Sequence, residues 1–162
     1  MLARNLRLVV CGMAVGHRSE RRQEYYAGRG NRFWRTLAEV GMTPQELAPF
    51  EFPRLLEYKI GLTDLAKEQV GNDHELGVGR ADILSLRTKI VMYQPRYFCF
   101  NGKRAAQLFL HKARVEYGVQ QERIGRAILF VAPSTSVAAR GAWNLALWQD
   151  LASRVGRCSA AV

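Results

Sequence analysis

Short apolar runs alternate along the chain with stretches of helical periodicity. Residues 8–11, 97–100 and 127–131 have the composition of buried strands, and each run ends at a glycine or in a small polar loop. A further apolar segment, residues 60–65, carries a single acid, Asp64, which is either a turn or helix N-cap residue or a functional one. Strands that alternate with helices predict an α/β fold with a largely parallel sheet.

The spacing of apolar residues predicts helices between these strands. One begins near Asn31 and ends at Gly41, and the next begins at Thr43, where the sequence TPQE is typical of a capped first turn. Residues 70–80 are predicted to be a loop, and residues 114–126 a polar connection. The remaining predicted helical segments are a short helix or turn at Leu55 and Leu56, a helix over residues 83–93 that ends before Pro95, a helix after residue 102, and a last helix with the face Trp143, Leu147, Leu151 and Val155.

The charge of the chain favours a polyanionic partner. At 162 residues the chain has the length of one domain. It carries 24 Lys and Arg against 14 Asp and Glu, a net charge of +10. Such a balance is expected of a protein that binds phosphate backbones, although a basic protein without such a partner is the alternative.

The cysteines indicate a reducing compartment. Cys11 and Cys99 lie inside apolar runs and are predicted to be core residues, and Cys158 stands far from both. An odd number of cysteines without CxxC spacing argues against a disulfide framework and against a zinc or iron–sulfur site. No apolar stretch approaches the ~18 residues of a membrane span, and a cytoplasmic location is therefore expected.

The first strand leads into a region that combines glycine, basic and aromatic residues. Residues 12–16 are predicted to be a tight glycine loop at the carboxyl end of the strand, where an open α/β sheet binds its ligand. Residues 17–35 combine six arginines with four aromatic residues, as in a groove that holds a nucleic acid backbone. Helical spacing nevertheless favours a core position for Phe33 and Trp34.

The sequence YAGRGNRFW, from Tyr26 to Trp34, resembles the aromatic–x–G–P–G–N–x–F–W block of the uracil-DNA glycosylase superfamily. The resemblance is to the mismatch-specific branch of bacterial Mug and eukaryotic thymine-DNA glycosylase. Residues 61–65, 94–96, 101–103 and 133–134 follow in that family's order, and residues 12–16 stand where the family has G-I-N-P-G. The resemblance implies a single three-layer α/β/α domain over residues 1–162.

The function implied by this resemblance is hydrolysis of the bond between a damaged or mismatched base and deoxyribose, after the base has left double-stranded DNA. The implied protein is a monomer associated with the bacterial nucleoid, and it needs no metal and no cofactor. Tyr26 would stack on the base, and main-chain amides near Gly102 and Lys103 would hold a phosphate. The other implied base contacts are Gly12, Met13, Asn31 and Ser134, and the other implied DNA contacts are Ser134, Thr135, Ser136 and Arg140.

Two amide side chains of the family pattern are missing. Ala14 replaces the Asn that positions water in the first motif, so this position offers only its backbone, and Ala132 replaces the Asn before Pro-Ser. Asp64 is the best candidate for the missing catalytic group, because a carboxylate near the sugar can orient water and stabilise positive charge. Weaker candidates are Glu20, Glu24 and His17. The rival predictions are a lesion-binding protein that does not cut and, less favoured, an α/β nucleotide-binding protein.

Overall fold

The computed structural model describes residues 1–15, 21–70 and 77–156. Within these ranges the chain forms one five-stranded sheet with the order β2-β1-β3-β5-β4. Strands β1, β2, β3 and β5 are parallel, and only β4 runs antiparallel. The predicted α/β fold with a mainly parallel sheet is therefore confirmed. The strands are β1 (Leu8–Val15), β2 (Ile60–Val70), β3 (Tyr97–Asn101), β4 (Gly118–Ile124) and β5 (Ala127–Ala132).

Helices cover both faces of the sheet. On one face lie α1 (Phe33–Glu39), a 3₁₀ helix (Pro49–Leu56) and α4 (Leu145–Val155). On the other lie α2 (Arg80–Tyr93) and α3 (Lys103–Leu110). Successive strand residues point to opposite faces of the sheet. Since helices cover both faces, the inner strands have apolar side chains on each side. Cys11 and Cys99 are accordingly buried in opposite cores, as predicted, and Cys158 lies outside the described residues.

Local side-chain contacts explain the bounds of α1. The Asn31 Oδ1 atom accepts a hydrogen bond from the Phe33 backbone N–H at 3.0 Å and so satisfies the first turn. Gly41, with a φ of 74°, follows the helix in the left-handed conformation that favours glycine. The predicted helix from Asn31 to Gly41 is thus present, with slightly shorter bounds.

Residues 12–16 were predicted to form a loop, but residues 12–15 continue strand β1, which ends at Val15. Strand β1 continues because β2 is long enough to pair with it, with Gly12 opposite Asp64 and Ala14 opposite Ala66. The pairing shifts register after Ala14. Gly16 lies outside the described residues.

No helix begins at Thr43. The Thr43 hydroxyl instead donates to the Gln45 carbonyl oxygen at 2.9 Å, and the chain runs on without helical structure to bury Leu47. The capping contact belongs to Glu51, whose Oε2 atom accepts from the Ala48 N–H at 2.9 Å at the start of the 3₁₀ helix. That helix contains the short helical turn predicted at Leu55 and Leu56.

Two further predictions differ from the structure. Residues 114–126 contain the edge strand β4, in which only the terminal Gly118 and Ile124 are buried, so the sequence lacks a strand's apolar signal. Helix α4 begins after Trp143, at Leu145, and its buried face is Trp148, Leu151, Ala152 and Val155. No helix in the described ranges is long and apolar enough to cross a membrane.

Candidate active site

The described parts of the motif segments at the ends of β1, β3 and β5, which are residues 12–15, 101–103 and 133–134, meet at the edge of the sheet formed by the carboxyl ends of these strands. Strands β1, β3 and β5 are parallel neighbours, so their carboxyl ends lie side by side. Strand β2 flanks β1 at the same edge. In open α/β sheets this edge is where ligands bind.

Asp64 lies in the middle of β2, opposite Gly12 of β1, and only 5% of its surface is exposed. A Cβ atom on Gly12 would stand 2.5 Å from the Asp64 Oδ1 atom, so the carboxylate occupies the space that glycine leaves. Gly12 and Ala14 face the same side of the sheet because strand residues alternate. The carboxylate therefore lies beside the first-motif position, and the alternative of a turn or helix N-cap is wrong for Asp64.

Tyr26 reaches the same point from the chain segment before α1. Its ring stacks on Phe33 with centroids 4.0 Å apart, while its hydroxyl lies 3.3 Å from the position that a Cβ atom on Gly12 would take. The ring is partly exposed but the hydroxyl oxygen is buried. Tyr26 has a φ of 53°, a left-handed conformation that costs a non-glycine residue about 1–2 kcal/mol.

Three groups around Asp64 hold their protons more tightly than usual. Burial raises the pKa of Tyr26 well above its ordinary value, and the Asp64 carboxylate raises it further. The same two causes, in the same order, raise the pKa of Tyr25 to about 12 and raise the pKa of the Cys11 thiol. Burial, with the negative charge of Asp64 as the second cause, thus makes these three groups harder to ionise than they are in water.

The loop after β5 is held by hydrogen bonds from three elements. The Asn101 Nδ2 atom donates to Thr135 Oγ1 at 2.9 Å, and the Thr135 N–H donates to Asn101 Oδ1 at 3.0 Å. The Arg32 N–H donates to the Thr135 carbonyl at 3.0 Å, and the indole of Trp148 donates to the Pro133 carbonyl at 3.0 Å. Because the loop is anchored to β3, to the segment before α1 and to α4, its outer residues are presented at a defined place.

The outer part of that loop carries the predicted DNA contacts. Ser136 and Arg140 are exposed and Ser134 is partly exposed. Arg140 belongs to a second 3₁₀ helix (Val137–Ala142), and its Nη2 atom lies 3.7 Å from the position that a Cβ atom on Gly30 would take. The structure therefore brings Ser134, Ser136 and Arg140 to one surface, whereas Thr135 is buried and serves to anchor the loop.

One of the two main-chain amides that were predicted to hold a phosphate at the start of α3 is engaged within the protein. The Gly102 N–H donates to the Ala132 carbonyl at 3.0 Å, so it has no free donor for a phosphate. The Lys103 ammonium lies 4.4 Å from the centroid of the Tyr117 ring and 3.6 Å from a carboxylate oxygen of Glu116. The Gly102 amide therefore has a structural role, and the phosphate contact stays a prediction for the main chain at Lys103.

Two predicted base contacts have other partners within the protein. The Asn31 carboxamide oxygen accepts from the Phe33 N–H at the start of α1, and the side chain of Met13 is buried in the core on the other face of the sheet. Asn31 and Tyr26 line a cleft of about 400 Å³, but Gly12 and Ser134 do not border that cleft. Met13 can therefore contact a base only through its main chain.

Alanine occupies each of the two positions at which the family pattern has an amide side chain, and the two alanines differ in burial. Ala14 is partly exposed, whereas Ala132 is fully buried opposite Asn101. The role of Asn101 in holding the loop was not predicted from the sequence. The only signal for it was an Asn at the end of a buried strand.

The weaker acid–base candidates gain no support. Glu24 lies 4.0 Å from the Arg22 guanidinium, in an ion pair. His17 and Glu20 lie outside the described residues. In the part of the chain that the structure describes, no three His, Cys, Asp or Glu residues come together as ligands for a metal ion.

The sequence as a whole matches a known protein family. The family model of the uracil DNA glycosylase superfamily matches residues 1–152, which is almost the whole chain. The match agrees with the five-stranded, mostly parallel sheet between helices. It supports a function of the DNA glycosylase type, with DNA as the partner. The chain belongs to the uracil DNA glycosylase superfamily.

Proposed function

We propose that this protein is a monofunctional DNA glycosylase related to the mismatch-specific branch of bacterial Mug and thymine-DNA glycosylase. It acts as a single-domain monomer and removes uracil or another deaminated or mismatched base from duplex DNA. The observation that carries the proposal is the buried carboxylate of Asp64 beside Gly12, in a chain where Ala14 replaces the usual amide.

Asp64 supplies the catalytic group of the proposed reaction. Its carboxylate accepts a hydrogen bond from the attacking water and stabilises the positive charge that develops on the sugar as the base departs. The position of the carboxylate next to a glycine supports this role, because no side chain of residue 12 separates it from a substrate at the main chain of β1.

Base flipping brings the damaged base to this edge of the sheet. Phe33 covers one face of the Tyr26 ring, so the base meets Tyr26 at its other face or at its hydroxyl edge. The main chain at Gly12 and Met13 meets the edge of the base. Mispaired bases leave the stack at a lower cost than paired ones, which contributes to selectivity.

The anchored loop after β5 contacts the DNA backbone and the minor groove. Ser134 and Ser136 supply hydroxyl groups, and Arg140 supplies positive charge at the surface. Val137 is an exposed apolar residue at the start of the second 3₁₀ helix, and in the proposed complex it fills the gap that the flipped base leaves.

The test is single-turnover base release from duplexes that contain G·U, G·T or G·hypoxanthine pairs. The parent protein is expected to release at least one of these bases, and Asp64→Asn is expected to be slower by about 10²–10⁴-fold. The matched control is Asp150→Asn, which removes a carboxylate from an exposed ion pair with Arg154 on α4. Equal rates for the parent and Asp64→Asn would contradict the role of Asp64.

A second candidate function follows from the two alanines. If no other group replaces the amides that are missing at Ala14 and Ala132, the protein binds damaged or mismatched DNA but does not release the base. That function predicts tight binding to mismatched or abasic duplexes and no base release from any of the three substrates.

A further inference from the structure

The hydroxyl group of Tyr26 has no role in packing. The aromatic ring alone accounts for the stack on Phe33, and a phenylalanine would make the same contact. The hydroxyl oxygen is nevertheless buried and makes no hydrogen bond of normal geometry within the described residues. A buried polar group without a partner costs about 1–3 kcal/mol, so this group requires an explanation.

Neighbouring side chains do not engage the proton of the Tyr26 hydroxyl. A hydrogen bond from the Asn101 side chain acts against the rise in the pKa of Tyr26, as expected of a donor to the phenol oxygen. Asn101 can make this contact because its Nδ2 atom has two protons and gives one of them to Thr135 at 2.9 Å. The Tyr26 hydroxyl is therefore a donor that is available to a bound substrate.

The backbone of Tyr26 adds a second observation. Its φ of 53° lies in the left-handed region, which is sparsely populated by aromatic residues and recurs at functional sites. The segment around it is fixed, because the Trp34 indole donates to the Tyr25 carbonyl at 3.1 Å. In this conformation the hydroxyl reaches the same side of Gly12 as the Asp64 carboxylate.

We infer that the Tyr26 hydroxyl is a second catalytic group, which donates a hydrogen bond to a carbonyl oxygen of the departing base. This inference rests on the proposed glycosylase function and gives Tyr26 an edge-on hydrogen bond to the base in place of a face-to-face stack, because the O–H bond of a phenol lies in the plane of its ring. It also explains how the site works without side-chain amides at positions 14 and 132.

The two groups divide the reaction between them. The bond between the sugar carbon and the base nitrogen breaks, and its electron pair leaves with the base, whose carbonyl oxygen gains negative charge. Tyr26 stabilises that charge by a hydrogen bond while keeping its proton. Water forms the new bond to the sugar carbon and gives one proton to Asp64, and this proton later passes to the base anion through solvent. Burial and the Asp64 charge raise the pKa of the phenol, which therefore stays protonated and remains a donor.

The test compares Tyr26→Phe with the parent on duplexes that contain uracil or 5-fluorouracil, in single-turnover reactions. 5-Fluorouracil leaves more easily as an anion and needs less help from a hydrogen-bond donor. We expect Tyr26→Phe to release uracil more slowly than the parent by about 10²–10³-fold, the usual effect of removing one such donor. The reduction in the rate of 5-fluorouracil release should be distinctly smaller. The free energy of unfolding should not fall, because the variant keeps the ring.

Tyr25→Phe is the matched control. The Tyr25 ring packs edge-on against Phe52 at 5.3 Å, and its hydroxyl accepts a hydrogen bond from the Met1 amino group at 3.2 Å. We expect this variant to release both bases at the parent rate. An unchanged rate for Tyr26→Phe, or an equal loss on both bases, would overturn the role of the hydroxyl and leave the proposed function intact. A parent protein that releases neither uracil nor 5-fluorouracil would overturn this inference, and one that also releases no thymine and no hypoxanthine would overturn the proposed function as well.

Discussion

The Asp64 carboxylate occupies the place that a side chain of Gly12 would take. The two residues are partners in the parallel pairing of β1 and β2, and a Cβ atom added to Gly12 would lie 2.5 Å from the Asp64 Oδ1 atom. Glycine at position 12 is therefore required by a neighbouring carboxylate rather than by its own backbone angles. This relationship makes residue 12 a sensitive probe of the site.

Gly12→Ala is expected to displace the carboxylate and to reduce base release by about 10²-fold or more, as for loss of an acid–base group. Overpacking at this buried position is expected to cost about 1–3 kcal/mol of stability. Gly77→Ala is the control, because Gly77 is exposed and a Cβ atom there meets nothing within 4 Å. Base-release rates and urea unfolding check both variants, and parent-like activity in Gly12→Ala would show that the carboxylate position is unimportant.

Thr135→Val is expected to lower the free energy of unfolding by about 1–3 kcal/mol, because it leaves the buried Asn101 Nδ2 atom without its acceptor. Thr63→Val is the matched comparison. Both threonines are 1% exposed, but the Thr63 hydroxyl makes no hydrogen bond within the described residues. Thr63→Val should therefore be neutral or stabilising in urea unfolding. Equal effects of the two substitutions would show that the bond between Asn101 and Thr135 does not hold the loop.

Arg140→Ala is expected to weaken duplex binding for every sequence tested and to reduce the dependence of log K on log salt concentration by about 1. The reason is the loss of one exposed cation on the anchored loop. Arg126→Ala is the control, because Arg126 precedes β5 at the opposite edge of the sheet and donates to the Gln94 carbonyl at 2.9 Å. Fluorescence anisotropy titrations at several salt concentrations measure both slopes. A larger effect from Arg126 would place the DNA on another surface.

The stability of the protein is expected to fall at alkaline pH because of Tyr25 and Tyr26. Their pKa values are raised in the folded protein, to about 12 for Tyr25, so the folded state binds these protons more tightly than the unfolded chain. Their contribution is complete below pH 10 and is lost as the pH rises toward 12. Urea unfolding at neutral pH and at about pH 11 should show a smaller loss for Tyr25→Phe than for the parent. An identical loss would show that Tyr25 titrates normally.

Several features of the fold could be predicted because they depend on neighbours in the sequence. The buried strands β1, β3 and β5 are apolar runs, and Gly41 marks the end of α1 where a left-handed residue is needed. Strand β4 could not be predicted in this way, because an edge strand is stabilised by hydrogen bonds to β5 and needs few apolar side chains. At Thr43 the error is the reverse, because the sequence predicted an element that is absent. The local pattern is typical of a helix start, but the chain there is non-helical and buries Leu47.

The candidate site also has features that the sequence predicts and features that depend on tertiary contacts. Sequence motifs select Asp64, Tyr26 and the segment after β5 as candidates, because each stands in a family pattern. They could not show that the Gly102 N–H is engaged by Ala132, or that the Asn31 oxygen accepts from the Phe33 N–H. Hydrogen bonds of this kind join atoms whose distance is set by the packing of whole elements.

The sequence by itself determined the α/β class, the family and the absence of the usual amides at Ala14 and Ala132, since these depend on residue identity and local periodicity. Only the tertiary structure shows which groups lie beside the first-motif position. Parallel pairing of β1 with β2 sets Asp64 beside Gly12, and a left-handed turn brings the Tyr26 hydroxyl to the same point. These contacts join residues far apart in the chain, and their register follows from the sheet as a whole.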